Sequence, residues 1–355
     1  MTGAVPEHPS GLVVQQSFPR PRPTTNPYLV MLRDAVGAVP GVEVRTFSWK
    51  GALLGRYDVF HVHWPEILVS GRSPLKALVR QALTVALVAK LAATRTPIVR
   101  TEHNLELPSG ISRRERVLLR WIERRTTLWV RLNDETPEHP DAIGALIPHG
   151  HYVDWFSRWP WPARETGRVS YFGFIRRYKG VDGLVRAFRG VRGDDRRLHA
   201  AGKPSTPELA KGLEELAADD PRVSLDLRFL DDEALIDTVR RAELVVLPYR
   251  EMHNSGGVLT ALSLGRPVLV PANQVNARLA AEVGADWVRQ YSDELGSGDV
   301  ERALEAASRL SEDARPDLSA RDWDRAGEAH VAAYRRAIAA VRGRASGSRD
   351  RRARS

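Results

Sequence analysis

Short apolar runs alternate along the chain with longer segments whose apolar residues recur at helical spacing. Strands that alternate with helices predict a parallel sheet covered by helices. In the first half the predicted strands are Gly11–Gln15, Val42–Phe47, Val59–His63, Ile98–Arg100, Leu128–Leu132 and Ala145–Ile147. The predicted helices there are Pro27–Val39, Pro74–Ala93 and Ser112–Arg125. Asn26 before Pro27 is typical of a capped helix start.

The same alternation resumes in the second half, after a stretch rich in Pro and Trp, Ser157–Gly167, that is typical of a linker. The predicted strands are Val169–Phe172, Arg197–Ala200, Val223–Leu227, Leu244–Leu247 and Pro267–Val270. The predicted helices are Val181–Arg189, Glu208–Ala217, Asp232–Arg241, Ser255–Leu264 and a final one over residues 320–342. The fold class is therefore α/β, with two doubly wound, Rossmann-like domains that face a cleft. The expected domains are residues 1–156 and 168–319, and a disordered basic tail is expected over 343–355.

Composition narrows the class of protein. The chain has 355 residues, 43% apolar and 27% charged, which is ordinary for a globular protein and excludes collagen, wholesale disorder and a membrane bundle. The absence of Cys excludes thiolate nucleophiles, disulfides and Cys-ligated metals. The N-terminus lacks the pattern of a signal peptide. The most apolar window, Ala82–Ala93, falls short of the roughly 20 residues of a membrane helix. We therefore expect a cytoplasmic protein, soluble or peripheral to a membrane.

The net charge of +9 resides in two segments. Ser112–Arg125 contains six Arg against two Glu, and Val341–Ser355 contains six Arg against one Asp, whereas the rest of the chain is neutral. The first segment is typical of a solvated helix face. It is also typical of a basic amphipathic helix for an anionic membrane surface, because apolar residues lie between its arginines: Val117, Leu118, Trp121 and Ile122. Nucleic acid is not expected as a partner, since no recognised binding motif accompanies the charge.

Two predicted strand-to-helix junctions in the second half suit an anion. In Tyr171–Gly180, Gly173 permits a tight turn and Arg176 and Lys179 lie at the start of the next helix. Such a helix N-terminus with two cations fits a diphosphate. In Tyr249–Thr260, Asn254 or Ser255 can cap the following helix, and Gly256 and Gly257 let a phosphate approach its N–H groups.

Together with Gly202 and Gly265–Val268, these motifs resemble the nucleotide-sugar-binding half of a GT-B glycosyltransferase. In the first half, Asp58–Glu66, Arg100–Asn104 and Ile147–Gly150 are similar to segments of that fold that face its cleft and enter its interdomain crossing. The resemblance implies that the last helix crosses back onto the N-terminal domain. It also implies a set of donor-binding residues: Gly173, Arg176, Lys179, Gly202, Glu251, Asn254, Ser255, Gly256, Gly257 and Thr260.

The stereochemistry depends on two positions. Many retaining members of this fold carry two glutamates where this chain has Met252 and Thr260, and only Glu251 lies near the first of them. The element His63-Trp-Pro-Glu66 is similar to bacterial exopolysaccharide glycosyltransferases of the β-mannosyltransferase type. The resemblance therefore favours inversion, with a retaining transferase as the alternative.

An inverting transfer needs a base for the acceptor hydroxyl. Glu66 is our candidate, because Pro65 holds it at the exit of a strand; His103 is the second candidate and His63 a further one. The resemblance gives His103 another role, contact with the donor sugar or its phosphate. A histidine at a strand end is equally typical of a buried structural residue.

The sequence thus predicts an enzyme that transfers a hexose, with GDP-mannose as the expected donor, to a lipid-linked or glycan acceptor. The alternatives are a nucleotide-sugar 2-epimerase and a non-catalytic, membrane-associated binding module. No metal or other cofactor is expected, since His149 and His151 have no third ligand at metal spacing.

Overall fold

A computed structural model describes residues 11–352 apart from 72, 109, 141 and 251, with side chains as far as residue 343. The chain divides into two compact units. The first is built from the residues up to Gly150 and from Arg321 onward, and the second from His151–Ala320.

The first segment of the first unit alternates strands and helices. Its strands are β1 (Leu12–Gln16), β2 (Val42–Arg45), β3 (Val59–Val62), β4 (Ile98–Glu102), β5 (Thr126–Arg131) and β6 (Ile143–Leu146). Its helices are α1 (Pro27–Ala38), α2 (Trp49–Leu54), α3 (Glu66–Val69), α4 (Pro74–Ala93) and α5 (Arg113–Arg125).

The second unit repeats the alternation. Its helices are α6 (Val153–Phe156), α7 (Val181–Arg189), α8 (Pro207–Ala217), α9 (Asp232–Arg240), α10 (Gly256–Ser263), α11 (Gln274–Val283) and α12 (Ser297–Ser308). Its strands are β7 (Arg168–Phe172), β8 (Arg197–Ala201), β9 (Val223–Asp226), β10 (Leu244–Val246), β11 (Val268–Pro271) and β12 (Val288–Tyr291). The last helix, α13 (Trp323–Arg352), belongs to the first unit.

Each unit contains one parallel six-stranded sheet, which confirms the predicted fold class. The strand order is β2-β1-β3-β4-β5-β6 in the first unit and β9-β8-β7-β10-β11-β12 in the second. The winding reverses between β1 and β3 in one sheet and between β7 and β10 in the other. Ligands of doubly wound sheets bind at the carboxyl ends of the strands at such a reversal.

Helix α13 completes the first unit by packing along α1. The two helices approach closely because Gly327 faces α1; a Cβ atom at this position would lie 2.6 Å from the Ala35 carbonyl oxygen. The Tyr334 hydroxyl contacts Nδ1 of His61 at 2.8 Å and so ties the helix to β3. At the chain's exit from this unit, a Cβ atom at Gly150 would overlap the indole ring of Trp323.

The structure describes two segments that the sequence analysis treats as irregular. Helix α13 extends to Arg352, into the segment for which the sequence analysis expects a basic tail. Residues 353–355 lie outside the described part. The expected linker, Ser157–Gly167, belongs to the second unit, where Trp161 donates from Nε1 to the Phe156 carbonyl at 3.1 Å.

A cluster of arginines closes the second unit around that segment. Arg240 and Arg266 are both buried and share the Glu312 carboxylate, at 3.2 and 2.9 Å. The Arg240 and Arg315 guanidinium groups lie over the Trp161 ring, 4.7 and 5.5 Å from its centre. Charged groups this deep are stable only when paired, so Glu312 is central to this packing.

Candidate active site

Polar side chains are buried at the carboxyl ends of β1 and β3, where the winding of the first sheet reverses. His63, directly after β3, is 3% exposed. Its Nε2 atom lies 3.1 Å from Oε1 of Gln16, the last residue of β1, and its Nδ1 atom lies 3.3 Å from Nε2 of His103. Two of the histidines singled out from the sequence are therefore in direct contact, through residues 40 positions apart.

The hydrogen bonds assign the protons of this pair. With the Gln16 amide oriented so that its oxygen faces His63, Nε2 of His63 carries the proton and its Nδ1 accepts from Nε2–H of His103. Burial and the nearby imidazole of His61 lower the pKa of His63 well below its usual value. Burial also lowers the pKa of His103, with smaller contributions from His149 and Arg100. Both rings are therefore neutral near pH 7, and Nδ1 is the nitrogen of His103 that bears no proton.

Aromatic contacts fix the orientation of His103. Its ring stacks on Trp64 with centres 4.0 Å apart and an angle of 16° between the planes. Tyr28 meets the same ring edge-on at 5.2 Å and also contacts His149, whose ring centre is 4.5 Å away. A stacked and hydrogen-bonded imidazole can present one nitrogen in a constant direction.

Glu66 occupies a different position from the histidine pair. It is the first residue of α3, and its Oε2 atom is buried without a hydrogen-bond partner among the residues that the structure describes. Within the same part of the chain no hydrogen bond joins it to His63 or His103. A buried carboxylate oxygen without a donor is unfavourable, so it is a group that a ligand hydroxyl could satisfy.

His61 has the structural role that is typical of strand-end histidines. Its Nε2 atom contacts the Thr101 hydroxyl at 2.9 Å, and its Nδ1 contacts Tyr334. With both nitrogens bonded and the ring fully buried, it connects β3, β4 and α13.

In the second unit, β7 and β8 end in two glycines that touch. Gly173 has a φ of +107° and Gly202 a φ of +149°, and a Cβ atom at Gly202 would overlap the Gly173 carbonyl. Any side chain at Gly202 would therefore separate the two strand ends. The backbone surface beside β7 stays open, and Lys179 reaches back towards it; a Cβ atom at Gly173 would lie 4.0 Å from Lys179 Nζ.

Lys179 is joined to the start of α10 by Tyr249. Nζ of Lys179 donates to the Tyr249 hydroxyl at 2.9 Å. A Cβ atom at Gly257, in the first turn of α10, would lie 3.2 Å from that hydroxyl. Burial, reinforced by Arg176, lowers the pKa of Lys179 to about 8. The two predicted anion-binding segments thus converge through Tyr249, which the sequence analysis includes in the second segment but does not select as a donor-binding residue.

The start of α10 has the geometry of an anion site. Ser255 is the cap residue and accepts from the Val258 N–H at 3.3 Å, so of the two candidate caps it is Ser255 and not Asn254. Gly256 and Gly257 follow in the first turn, where unpaired N–H groups and the helix dipole favour a negative charge. Arg176 is exposed just before Lys179.

The remaining positions of this segment are the predicted donor residues Glu251, Asn254 and Thr260, together with Met252. The Thr260 hydroxyl donates to the Gly256 carbonyl at 2.8 Å, so it is engaged inside the helix. Met252 is buried, and its carbonyl accepts from Asn273 Nδ2 at 3.0 Å. Asn254 lies in the loop that precedes the cap, and Glu251 lies outside the described residues.

Among the described residues, no group of three or more metal-ligating side chains could hold an ion. No helix in the same part of the chain combines the length and apolarity that a membrane crossing requires.

Two doubly wound parallel sheets, one with a lysine and a glycine-rich helix start at its reversal, define a GT-B glycosyltransferase. Residues 166–313 match the family described as glycosyl transferases group 1. Over 327 residues the chain is 42% identical to a GDP-mannose:glycolipid 4-beta-D-mannosyltransferase of Xanthomonas campestris pv. campestris, covering 92% of this chain and 93% of that one. The chain therefore belongs to the group 1 glycosyltransferase family, which confirms the predicted class of enzyme.

Solved structures agree on the fold. Anabaena HepE in complex with UDP and glucose aligns with a TM-score of 0.56 at 14% identity, over 96% of this chain and 99% of that one. The catalytic domain of Arabidopsis thaliana starch synthase IV, bound to ADP and acarbose, aligns with a TM-score of 0.61 at 11% identity, over 93% and 99%. At these identities the likeness concerns the fold.

Proposed function

We propose that the protein transfers mannose from GDP-mannose to a glycolipid, with inversion at the anomeric carbon. The observation that carries the proposal is the 42% identity to a mannosyltransferase of that name across nearly the whole chain, combined with the anion-suited geometry of Lys179, Tyr249 and α10.

The donor diphosphate would lie against the start of α10. Lys179 and Arg176 would neutralise its charge, and the N–H groups of Gly256 and Gly257 would bind its oxygens. As the glycosidic bond breaks, negative charge grows on the leaving diphosphate. Cations and N–H groups already in place stabilise that charge without reorganisation, which lowers the barrier.

The proposed inversion is supported by the bonds that the relative's name describes. GDP-mannose is an α-glycoside of its diphosphate, so a β-linked product requires displacement from the opposite face. The pattern around α10 supports this, since Met252 is buried and the Thr260 hydroxyl bonds within the helix. Neither of these side chains can act as the glutamates of retaining members do.

For the base we propose Glu66, whose unpartnered Oε2 atom could accept the proton of the acceptor hydroxyl. His103 is held by its contact with His63 and by its stacking on Trp64. Its constant orientation suits the second proposed role, in which it contacts the donor sugar or its phosphate.

We also propose that the enzyme works as a peripheral protein at the cytoplasmic face of a membrane, where a glycolipid acceptor would lie. The basic helix α5 would attract anionic headgroups. Its six arginines are exposed along the helix: Arg113, Arg114, Arg116, Arg120, Arg124 and Arg125.

A transfer assay with purified protein tests the function. GDP-mannose, UDP-glucose and UDP-N-acetylglucosamine are each supplied with a lipid-linked glycan extract, and the anomeric configuration of the product is read by NMR. We expect a β-mannoside from GDP-mannose. An α-mannoside would favour the retaining alternative, a new sugar nucleotide formed without acceptor would favour an epimerase, and binding without turnover would favour a non-catalytic module.

A further inference from the structure

The outward face of α4 is apolar along its whole length. Its four large side chains, Leu75, Leu78, Val79 and Val85, are 71%, 51%, 51% and 45% exposed. Between and beyond them the exposed residues of the same stripe are all alanines, Ala82, Ala86, Ala89 and Ala93. These positions recur every three or four residues, so they form one continuous stripe on the helix.

The stripe is not the core side of the helix. The opposite face of α4 already buries Thr84, Leu87, Val88 and Leu91. A surface helix normally places polar residues opposite its buried face, and α4 instead has leucine, valine and alanine there. An exposed apolar surface of this extent marks a site of interaction.

The elements packed against α4 extend the same property. Helices α2, α3 and α5 all contact it. Each exposes a large apolar residue of its own: Leu54 at the end of α2, Ile67 in α3 and Val117 in α5, which are 77%, 42% and 67% exposed.

The charge of the neighbouring helix α5 indicates which partner the apolar stripe of α4 binds. All six of its arginines are exposed, and none forms an ion pair within the described residues. A second copy of the chain, docked face to face, would bring two sets of six arginines towards each other, because a twofold interface presents the same patch from both sides. A surface that is apolar inside and anionic at its boundary has the complementary chemistry, and a lipid bilayer with acidic headgroups is such a surface.

We infer that the outward face of α4 inserts among the acyl chains at the surface of an anionic bilayer, while α5 binds the headgroups beside it. The helix lies in the interface and does not cross it. This inference deepens the proposed peripheral location and rests on it, but it requires neither donor nor acceptor.

Direct insertion can be measured because the chain contains no Cys. A polarity-sensitive fluorophore is attached to the full chain through Val79→Cys, or through Leu146→Cys as the matched control; Leu146 is 47% exposed in β6 of the same unit. With vesicles of phosphatidylcholine and phosphatidylglycerol, the label at residue 79 should shift to the blue and the control label should not. An unshifted label at residue 79 in vesicle-bound protein would overturn the inference.

Co-sedimentation with vesicles separates the contribution of the apolar stripe of α4 from that of the α5 arginines. The triple variant Leu75→Gln, Leu78→Gln, Val79→Gln should bind these vesicles on the order of 100-fold more weakly, because three large apolar side chains no longer leave water. It should lose the part of the binding that resists high salt, whereas neutralising the α5 arginines should remove the salt-sensitive part. Leu146→Gln should bind as the wild type does.

Two further measurements distinguish a bilayer from a second copy of the chain as the partner. They also distinguish failure of this inference from failure of the proposed function. Donor binding in solution should be unchanged in the triple variant, which shows that it is folded. If the wild type is a dimer and the triple variant is a monomer that still binds vesicles normally, the face joins two copies and the inference is wrong. Normal vesicle insertion by a protein that transfers no mannose would refute the proposed function and leave this inference intact.

Discussion

Lys179 donates from Nζ to the Tyr249 hydroxyl at 2.9 Å, and this bond joins the turn after β7 to the start of α10. The ammonium also lies 4.3 Å from the centre of the Tyr249 ring. Tyrosine thereby holds a half-buried cation beside the two glycines of the helix start. Within the described residues Lys179 forms no ion pair with a carboxylate that would compete with a phosphate for it.

Tyr249→Phe should weaken binding of the proposed donor GDP-mannose about tenfold, since it removes one hydrogen bond to a charged group while keeping the ring. Isothermal titration calorimetry measures the change. The melting temperature should stay close to that of the wild type; unchanged affinity would show that Tyr249 does not position Lys179.

Donor affinity should fall as the pH rises above about 8. Lys179 loses its proton there because burial lowers its pKa, and a neutral amine does not attract a diphosphate. Binding should weaken by about tenfold per pH unit above this value. Lys179→Arg should bind the donor with little pH dependence over the same range, because guanidinium stays charged, and Lys179→Ala should bind poorly throughout. A flat wild-type profile would contradict the role of Lys179.

Glu66→Gln should leave donor affinity intact and lower the rate of transfer by about 100- to 10,000-fold, since the amide cannot take a proton. The measurement is a single-turnover assay with radiolabelled GDP-mannose. Normal turnover in this variant would exclude Glu66 as the base, and the same assay on His103→Gln would then test the second candidate.

Gln16→Glu should change the tautomer of the histidine pair. A carboxylate beside Nε2 raises the pKa of His63 and favours a ring protonated on both nitrogens, which can no longer accept from His103. Nitrogen-15 NMR of the imidazoles should show His63 protonated only on Nε2 in the wild type and on both nitrogens in the variant. Gln16→Met, which offers no amide oxygen, should lose the preference without charging the ring.

Glu312→Gln should destabilise the second unit by about 2 kcal/mol. Two buried arginines lose their shared carboxylate, and the loss is smaller than for a fully buried pair because Glu312 is partly exposed. Urea unfolding measures it. As the control, Glu305→Gln removes the partner of one exposed arginine, Arg309, and should cost less than 1 kcal/mol.

The sequence predicts the framework because local pattern determines it. Helices α4 and α7 begin and end where the patterns predict, since proline, glycine and apolar spacing are read within one segment. Helices α11 and α12 were missed, although their buried residues recur at helical spacing over Asn276–Val283 and Val300–Ala307.

The candidate site was predictable only in part, because some of its contacts join residues that lie far apart in the chain. Glycines and basic residues after strands identify the donor half. The bonds from Gln16 to His63 and from Lys179 to Tyr249 join residues 47 and 70 positions apart, so only the assembled sheets bring them together. The apolar stripe of α4 is visible in the sequence, but nothing in the sequence distinguishes a buried stripe from an exposed one.

The contact between Gly150 and Trp323 bears on how the protein is made. The first unit is discontinuous: its sheet is translated early, and α13, which covers His61 and packs on α1, is translated last. The ribosome therefore synthesises the entire second unit before the first unit has all of its elements. Domains fold as units during synthesis, so the half synthesised second should reach its native state first. A stop codon before Trp323 would then leave a folded donor half attached to an open, aggregation-prone sheet.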